Sequence, residues 1–217
     1  MGELRPFENR RQAGIALARS LTRYGYRRGH AVVLALPRGG VPVGYEVAQA
    51  LVAPLDVFVV RKLGVPGHRE LAMGAIASRG VRVLNHPVIR ACHVSPEEIE
   101  LIAAEEGEEL ERREHAYRGG RAPIEVKGKS VILVDDGLAT GSTMTAAVQA
   151  ARLLTPSRVV VAVPVGAVET CHDLAGVADE TVCLYTPQAF ESVSQCYLDF
   201  TETSDDEVRE LLAGSPV

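Results

Sequence analysis

The sequence predicts an α/β fold: an open, mostly parallel twisted sheet with helices on both faces and small terminal elements capping it. Three observations predict it. Short apolar runs alternate with helical patterns along the chain, most regularly after residue 130, and such alternation implies parallel strands joined by right-handed crossovers. Trp is absent, aromatics are only 5% and 47% of the 217 residues are hydrophobic, so the core is aliphatic. Runs such as AVVLAL and RVVVAVPV are apolar throughout, as strands covered on both faces are.

Taken in order, residues 8–24 predict an amphipathic helix with Ile15, Leu17, Ala18 and Leu21 toward one side. Residues 31–36 predict a buried strand. PRGGVPVG follows, then a helix over about 43–52 and a strand over 55–60. Residues 61–80, rich in Gly and charge, predict a mobile loop with a strand returning near 71–77 and another over Val81–Leu84. Residues 95–117 predict a charged helix capped by Ser95, with Pro96 in its first turn and Glu98 completing a capping box. Its many glutamates are read as a solvated face. Residues 118–123 are a loop.

Then come a strand (SVILVDD), a helix (142–154), a strand (158–165), a helix (167–176) and a short strand (181–185). The tail 186–217 breaks the alternation with a polar-aromatic stretch and a helix starting near Ser204. The whole is read as one domain with its core at about 30–185, capped by the helix 8–24 and the tail.

The formal net charge of −5 argues against nonspecific nucleic-acid binding. Cys92, Cys171, Cys183 and Cys196 form no CxxC pair and are read as reduced, mostly buried thiols. MGELRPFENRRQ has no apolar segment of a secretion signal, and no apolar run reaches membrane-spanning length, so a cytoplasmic, membrane-free location is expected.

The chemistry concentrates in VILVDDGLATGSTM, residues 131–144. An apolar strand ends in two acids, then a Gly/Thr/Ser loop leads into a helix. Ligands of open parallel sheets bind beyond the carboxyl ends of strands. Gly137 and Gly141 allow close backbone approach, Thr140, Ser142 and Thr143 offer hydroxyls, and the first helical N–H groups point the same way. Ala139–Thr143 is therefore a candidate cradle for a phosphate monoester. Asp135 and Asp136 at its rim suit sugar hydroxyls and, through water, Mg²⁺. A Walker loop is excluded because no Lys follows Gly141, and GxGxxG and GxSxG are absent.

This run resembles the phosphoribosyl pyrophosphate (PRPP) signature of the type I phosphoribosyltransferases: strand, two acids, variable residues, then T-G-x-T. The resemblance implies PRPP and Mg²⁺ as ligands, with transfer of the phosphoribosyl group to a small nucleophile such as a nucleobase. It leaves open a catalytically inactive PRPP sensor on the same fold, and also a homodimer. It implies a pyrophosphate loop at 36–44, where Arg38, Gly39 and Gly40 would bind, with a cis peptide near Arg38–Gly39. It also implies a catalytic loop at 61–80, where Arg61 and Lys62 supply positive charge beside His68, Arg69 and Glu70. Catalytic roles then fall to Asp135, Asp136, Arg38 and Lys62. The 6-oxopurine branch of the family has an Asp where this chain has Ala139, which weakens a hypoxanthine or guanine acceptor. Tyr185, Phe190 and Tyr197 are candidate walls of the acceptor pocket, or else they pack the tail on the sheet.

Overall fold

The computed structural model describes residues 7–22 and 30–216. Among the described residues the strands are β1 (Ala31–Ala35), β2 (Leu55–Val57), β3 (Val60–Val65), β4 (His68–Ala77), β5 (Val81–Leu84), β6 (Ser130–Val134), β7 (Arg158–Val165) and β8 (Glu180–Tyr185). The α-helices are α1 (Arg10–Thr22), α2 (Gly40–Leu51), α3 (His86–Ala91), α4 (Pro96–Arg118), α5 (Ser142–Leu153), α6 (Val168–Ala175) and α7 (Asp205–Ala213).

Five strands form one parallel sheet in the order β2-β1-β6-β7-β8. Alternate residues of its central strands face opposite cores. Val33, Ala35, Ile132 and Val134 pack with residues of α1, α2, α4 and α7, while Val32, Leu34, Val131 and Leu133 pack with residues of α5 and α6. The apolar runs are thus continuous because both faces are buried. The chain leaves β1 toward β2 on one side and returns on the other side at β6. The strand order reverses between β1 and β6, and a crevice opens at their carboxyl ends.

Several boundaries differ from the sequence reading. The expected helix over 8–24 begins at Arg10, because Asn9 caps it by accepting from the Gln12 N–H at 3.0 Å; residues 23 and 24 lie outside the described residues. Helix α2 starts at Gly40, three residues early, since Pro42 is tolerated in a first turn whose N–H groups need no helical acceptor. The expected strand 55–60 splits. Leu55–Val57 joins the main sheet, whereas Val60 opens a separate antiparallel sheet of order β3-β4-β5. The expected mobile loop 61–80 is therefore mainly a folded hairpin that turns at Pro66–Gly67, with Leu63, Val65, Met73 and Ile76 buried. Helix α3, which the sequence reading missed, has Asn85 as its cap and Pro87 in its first turn.

The remaining elements follow expectation. The capping box of α4 forms in full, with Ser95 and Glu98 each accepting the other's backbone N–H. Ser204 caps α7. Phe7 pairs with Tyr197 in an isolated parallel bridge, so the start of the described chain and the tail meet beyond the carboxyl end of the sheet.

Candidate functional site

Two segments meet at the crevice. Ala35 is paired with Val134, so the turn after β1 lies beside the turn after β6. The Leu36 N–H donates to the Val134 carbonyl at 2.8 Å. The first turn holds a cis bond between Pro37 and Arg38, one bond earlier than expected. The two glycines of this turn permit the contact. A Cβ on Gly39 would collide with the Asp136 carboxylate, and one on Gly40 would lie 2.7 Å from the Val134 carbonyl oxygen. The Gly40 N–H already donates to the Leu36 carbonyl at 3.0 Å.

The second turn carries the predicted cradle. Gly141 precedes α5 at φ 70°, and no side chain caps the helix. Ala139, Thr140, Ser142 and Thr143 are exposed, and the hydroxyls of Thr140 and Ser142 are 3.3 Å apart. The uncapped first turn presents main-chain N–H groups and a positive dipole end together with these alcohols. Behind it, the Thr170 hydroxyl donates to the Ala139 carbonyl at 2.7 Å and pins the loop to α6. Gly137 serves packing: a Cβ there would lie 2.5 Å from Val193 of the tail.

The two acids have different surroundings. Asp135 accepts from the Asp136 N–H at 2.8 Å. Asp136 forms an ion pair with Arg10 of α1 (Nε–Oδ2 2.8 Å), the two side chains being only 15% and 11% exposed. The Tyr197 hydroxyl donates to the Asp136 carbonyl at 2.5 Å. Burial, reinforced by the charge of Asp136, holds Asp135 well above the usual aspartate range. Burial also raises Asp136, against the opposing pull of Arg10. With a guanidinium at its side, Asp136 is the one that ionises first. Burial and then Asp136 likewise raise Tyr197.

Three of the predicted cations, Arg38, Arg61 and Lys62, are paired within the chain. Arg38 makes ion pairs with Glu202 and, at 3.5 Å, with Asp205. Beside it, a cavity of about 430 Å³ is lined by Arg112, Arg113 and Tyr117 of α4. Arg61 pairs with Glu106 of α4 at 2.6 Å, and Lys62 with Glu70 at 3.2 Å. Arg61, Lys62, Arg69 and Glu70 line a groove between the β3–β4 hairpin and α4. The structure thus brings together Gly39, Gly40, Asp135 and Asp136 with the cradle, and it places Arg61 and Lys62 on the hairpin. Tyr197 is buried among Phe7, Tyr185, Phe190 and Phe200, where the tail packs on the sheet end. Among the described residues, no group of three or more His, Cys, Asp or Glu could hold a metal, and no helix is long and apolar enough to cross a membrane.

Arg10 and the acids of the tail were missed by sequence reasoning. Arg10 lies 126 residues from its partner, and no local pattern marks it. The acid-rich TETSDDE was visible as charge, without any sign that it meets Arg38.

The model of the phosphoribosyl transferase domain family matches residues 2–201. Two proteins of Mycobacterium tuberculosis, from strains CDC 1551 and H37Rv, are each 50% identical over 202 residues; both are provisionally named phosphoribosyl transferases. The match covers 93% of this chain and 45% of each relative, so the chain spans about half the length of these curated relatives. The crystal structure of TT1426 from Thermus thermophilus is 43% identical, with a TM-score of 0.86, covering 95% of this chain and 97% of that one.

Proposed function

The chain belongs to the phosphoribosyl transferase domain family, and from that premise we propose that it binds PRPP with Mg²⁺ and transfers the phosphoribosyl group to a small nucleophile, releasing pyrophosphate. The observation that carries this is the uncapped, hydroxyl-lined start of α5, set beside two aspartates at the point where the strand order reverses. Ala139–Thr143 would hold the 5′-phosphate through main-chain N–H groups and alcohols. Asp135 and Asp136 would lie on the ribose side of the site.

In the reaction the bond from C1 of the ribose to pyrophosphate oxygen breaks, and its electron pair leaves with the pyrophosphate. A bond from C1 to the nucleophile forms, and the nucleophile's proton is lost to solvent. The carboxylates lend negative potential where C1 becomes electron-poor, while Arg38, with Gly39 and Gly40, would hold the departing anion. Lys62 and Arg61 would join only after exchanging their present partners, Glu70 and Glu106, through movement of the hairpin. Asp135 supplies hard oxygen suited to Mg²⁺ held through water. When bound, the ion would neutralise charge on the pyrophosphate. Most of the catalysis would be positioning and electrostatics.

A second reading, a PRPP sensor without turnover, has one observation in its favour. Arg38, Arg61 and Lys62 are all neutralised by acids of the same chain. Incubation with PRPP, Mg²⁺ and a panel of nucleobases, with pyrophosphate release as the readout, tests the transferase reading. Base-dependent release supports it. PRPP binding with no release for any acceptor selects the sensor, and no PRPP binding removes both.

A further inference from the structure

Arg10 uses its guanidinium in three ways. Nε donates to Oδ2 of Asp136 at 2.8 Å, Nη1 donates to the Thr201 carbonyl at 2.7 Å, and Cζ lies over the Phe200 ring, 3.9 Å from its centroid. A planar guanidinium fork suits two acceptors and an aromatic face together. Asp136 is held from the other directions as well: the main chain of Gly39 abuts its carboxylate, and Tyr197 donates to its carbonyl. Its side chain cannot swing toward a ligand without breaking a largely desolvated ion pair.

We propose that Arg10 is a positioning residue of the PRPP site: it fixes Asp136 as a brace joining α1, the pyrophosphate loop and the tail, and so leaves Asp135 as the acid that meets the sugar. The inference rests on the PRPP reading above and goes beyond it, because it divides unequal roles between two acids that the signature presents as equivalent. It also makes the tail part of the site, since Thr201 and Phe200 set the orientation of the guanidinium that sets Asp136.

Calorimetric titrations with PRPP plus Mg²⁺, and separately with inorganic phosphate, test this on the full chain. Arg10→Gln is expected to weaken PRPP on the order of tenfold to a hundredfold, the range typical when an outer partner of a ligating group is removed. Phosphate affinity should stay unchanged, because the cradle is left intact. Asp135→Asn should weaken PRPP more than Asp136→Asn does. Arg10→Gln combined with Asp136→Asn should be no worse than Asp136→Asn alone, since Arg10 acts through that acid. Arg10→Lys should recover part of the loss. Should the Gln variant fail to fold, Phe200→Leu loosens the same guanidinium and carries the same expectation: weaker PRPP and unchanged phosphate.

Additive losses in the double variant would overturn the proposal. So would equal effects of the two aspartate substitutions, or a PRPP loss no larger than that of Arg11→Gln, whose side chain is exposed and pairs with Glu46. Failure of the unaltered protein to bind PRPP would remove the site reading and this proposal together. Binding by the unaltered protein with equal aspartate effects would remove this proposal alone.

Discussion

Replacing Gly141 by Val tests the cradle at its tightest point. The residue sits at φ 70°, and a Cβ there would lie 2.5 Å from Cγ2 of Thr170. The left-handed conformation costs an L-residue about 1–2 kcal/mol. Relieving the clash displaces Thr170, whose hydroxyl holds the Ala139 carbonyl, and a lost hydrogen bond adds about 1 kcal/mol. The sum is about 2–3 kcal/mol, which for a chain of this size lowers Tm by roughly 4–12 °C, so the sheet stays folded at room temperature. Binding should suffer more selectively. A single charge-assisted hydrogen bond contributes about 1.5–3 kcal/mol, so losing one N–H from the cradle weakens phosphate about tenfold or more. Differential scanning calorimetry and phosphate titration read the two effects separately. A variant with unchanged Tm and undiminished phosphate affinity would refute both the strain argument and the cradle.

Other predictions follow from the pairing of charges. Arg38→Ala should weaken PRPP more than ribose 5-phosphate, whereas Glu202→Gln with Asp205→Asn should strengthen Mg²⁺-pyrophosphate binding by about two- to tenfold, because two half-exposed or exposed carboxylates no longer compete for Arg38. Unchanged or weaker pyrophosphate binding in that double variant would contradict the competition. Arg118 is buried against Asp56 at 2.8 Å and Glu114 at 2.8 Å, and Asp56 also accepts from the Ile124 N–H. Arg118→Ala strands those acids, so unfolding experiments should show a loss of about 3–5 kcal/mol; a loss under about 1 kcal/mol would show that water reaches them. Both signature acids have raised pKa values, so the folded ligand-free protein keeps protons that the unfolded chain releases near the ordinary value of about 3.9. Its stability should therefore fall as pH rises from about 4 through those raised values. Melts of Asp135→Asn over the same range should lose much of that slope, and an identical slope would contradict the assignment.

The fold was legible where one physical demand ruled the sequence. Strands β1, β6 and β7 are buried on both faces over most of their length, and their Val-rich runs say so directly. The capping box of α4 and the serine before α7 mark helix starts through local chemistry alone. The hairpin β3–β4 was hidden because only Leu63 and Val65 of β3 are buried, while Lys62, His68, Arg69 and Glu70 are exposed and three glycines interrupt the pattern. Helix α3 is six residues long, too short to show a period.

The candidate site was legible as a contiguous motif because its strand, acids and loop are neighbours in the chain. The fit of Gly39 against Asp136, the brace from Arg10 and the acids on Arg38 arise only when distant segments pack. No residue type at positions 10, 39 or 202 announces such a contact by itself.

The most direct measurement is a crystal structure of the protein grown with PRPP and Mg²⁺. The account predicts density for the 5′-phosphate against the main-chain N–H groups of residues 140–143, with the sugar hydroxyls at Asp135. A ligand bound elsewhere, or a bare cradle at saturating PRPP, would contradict it.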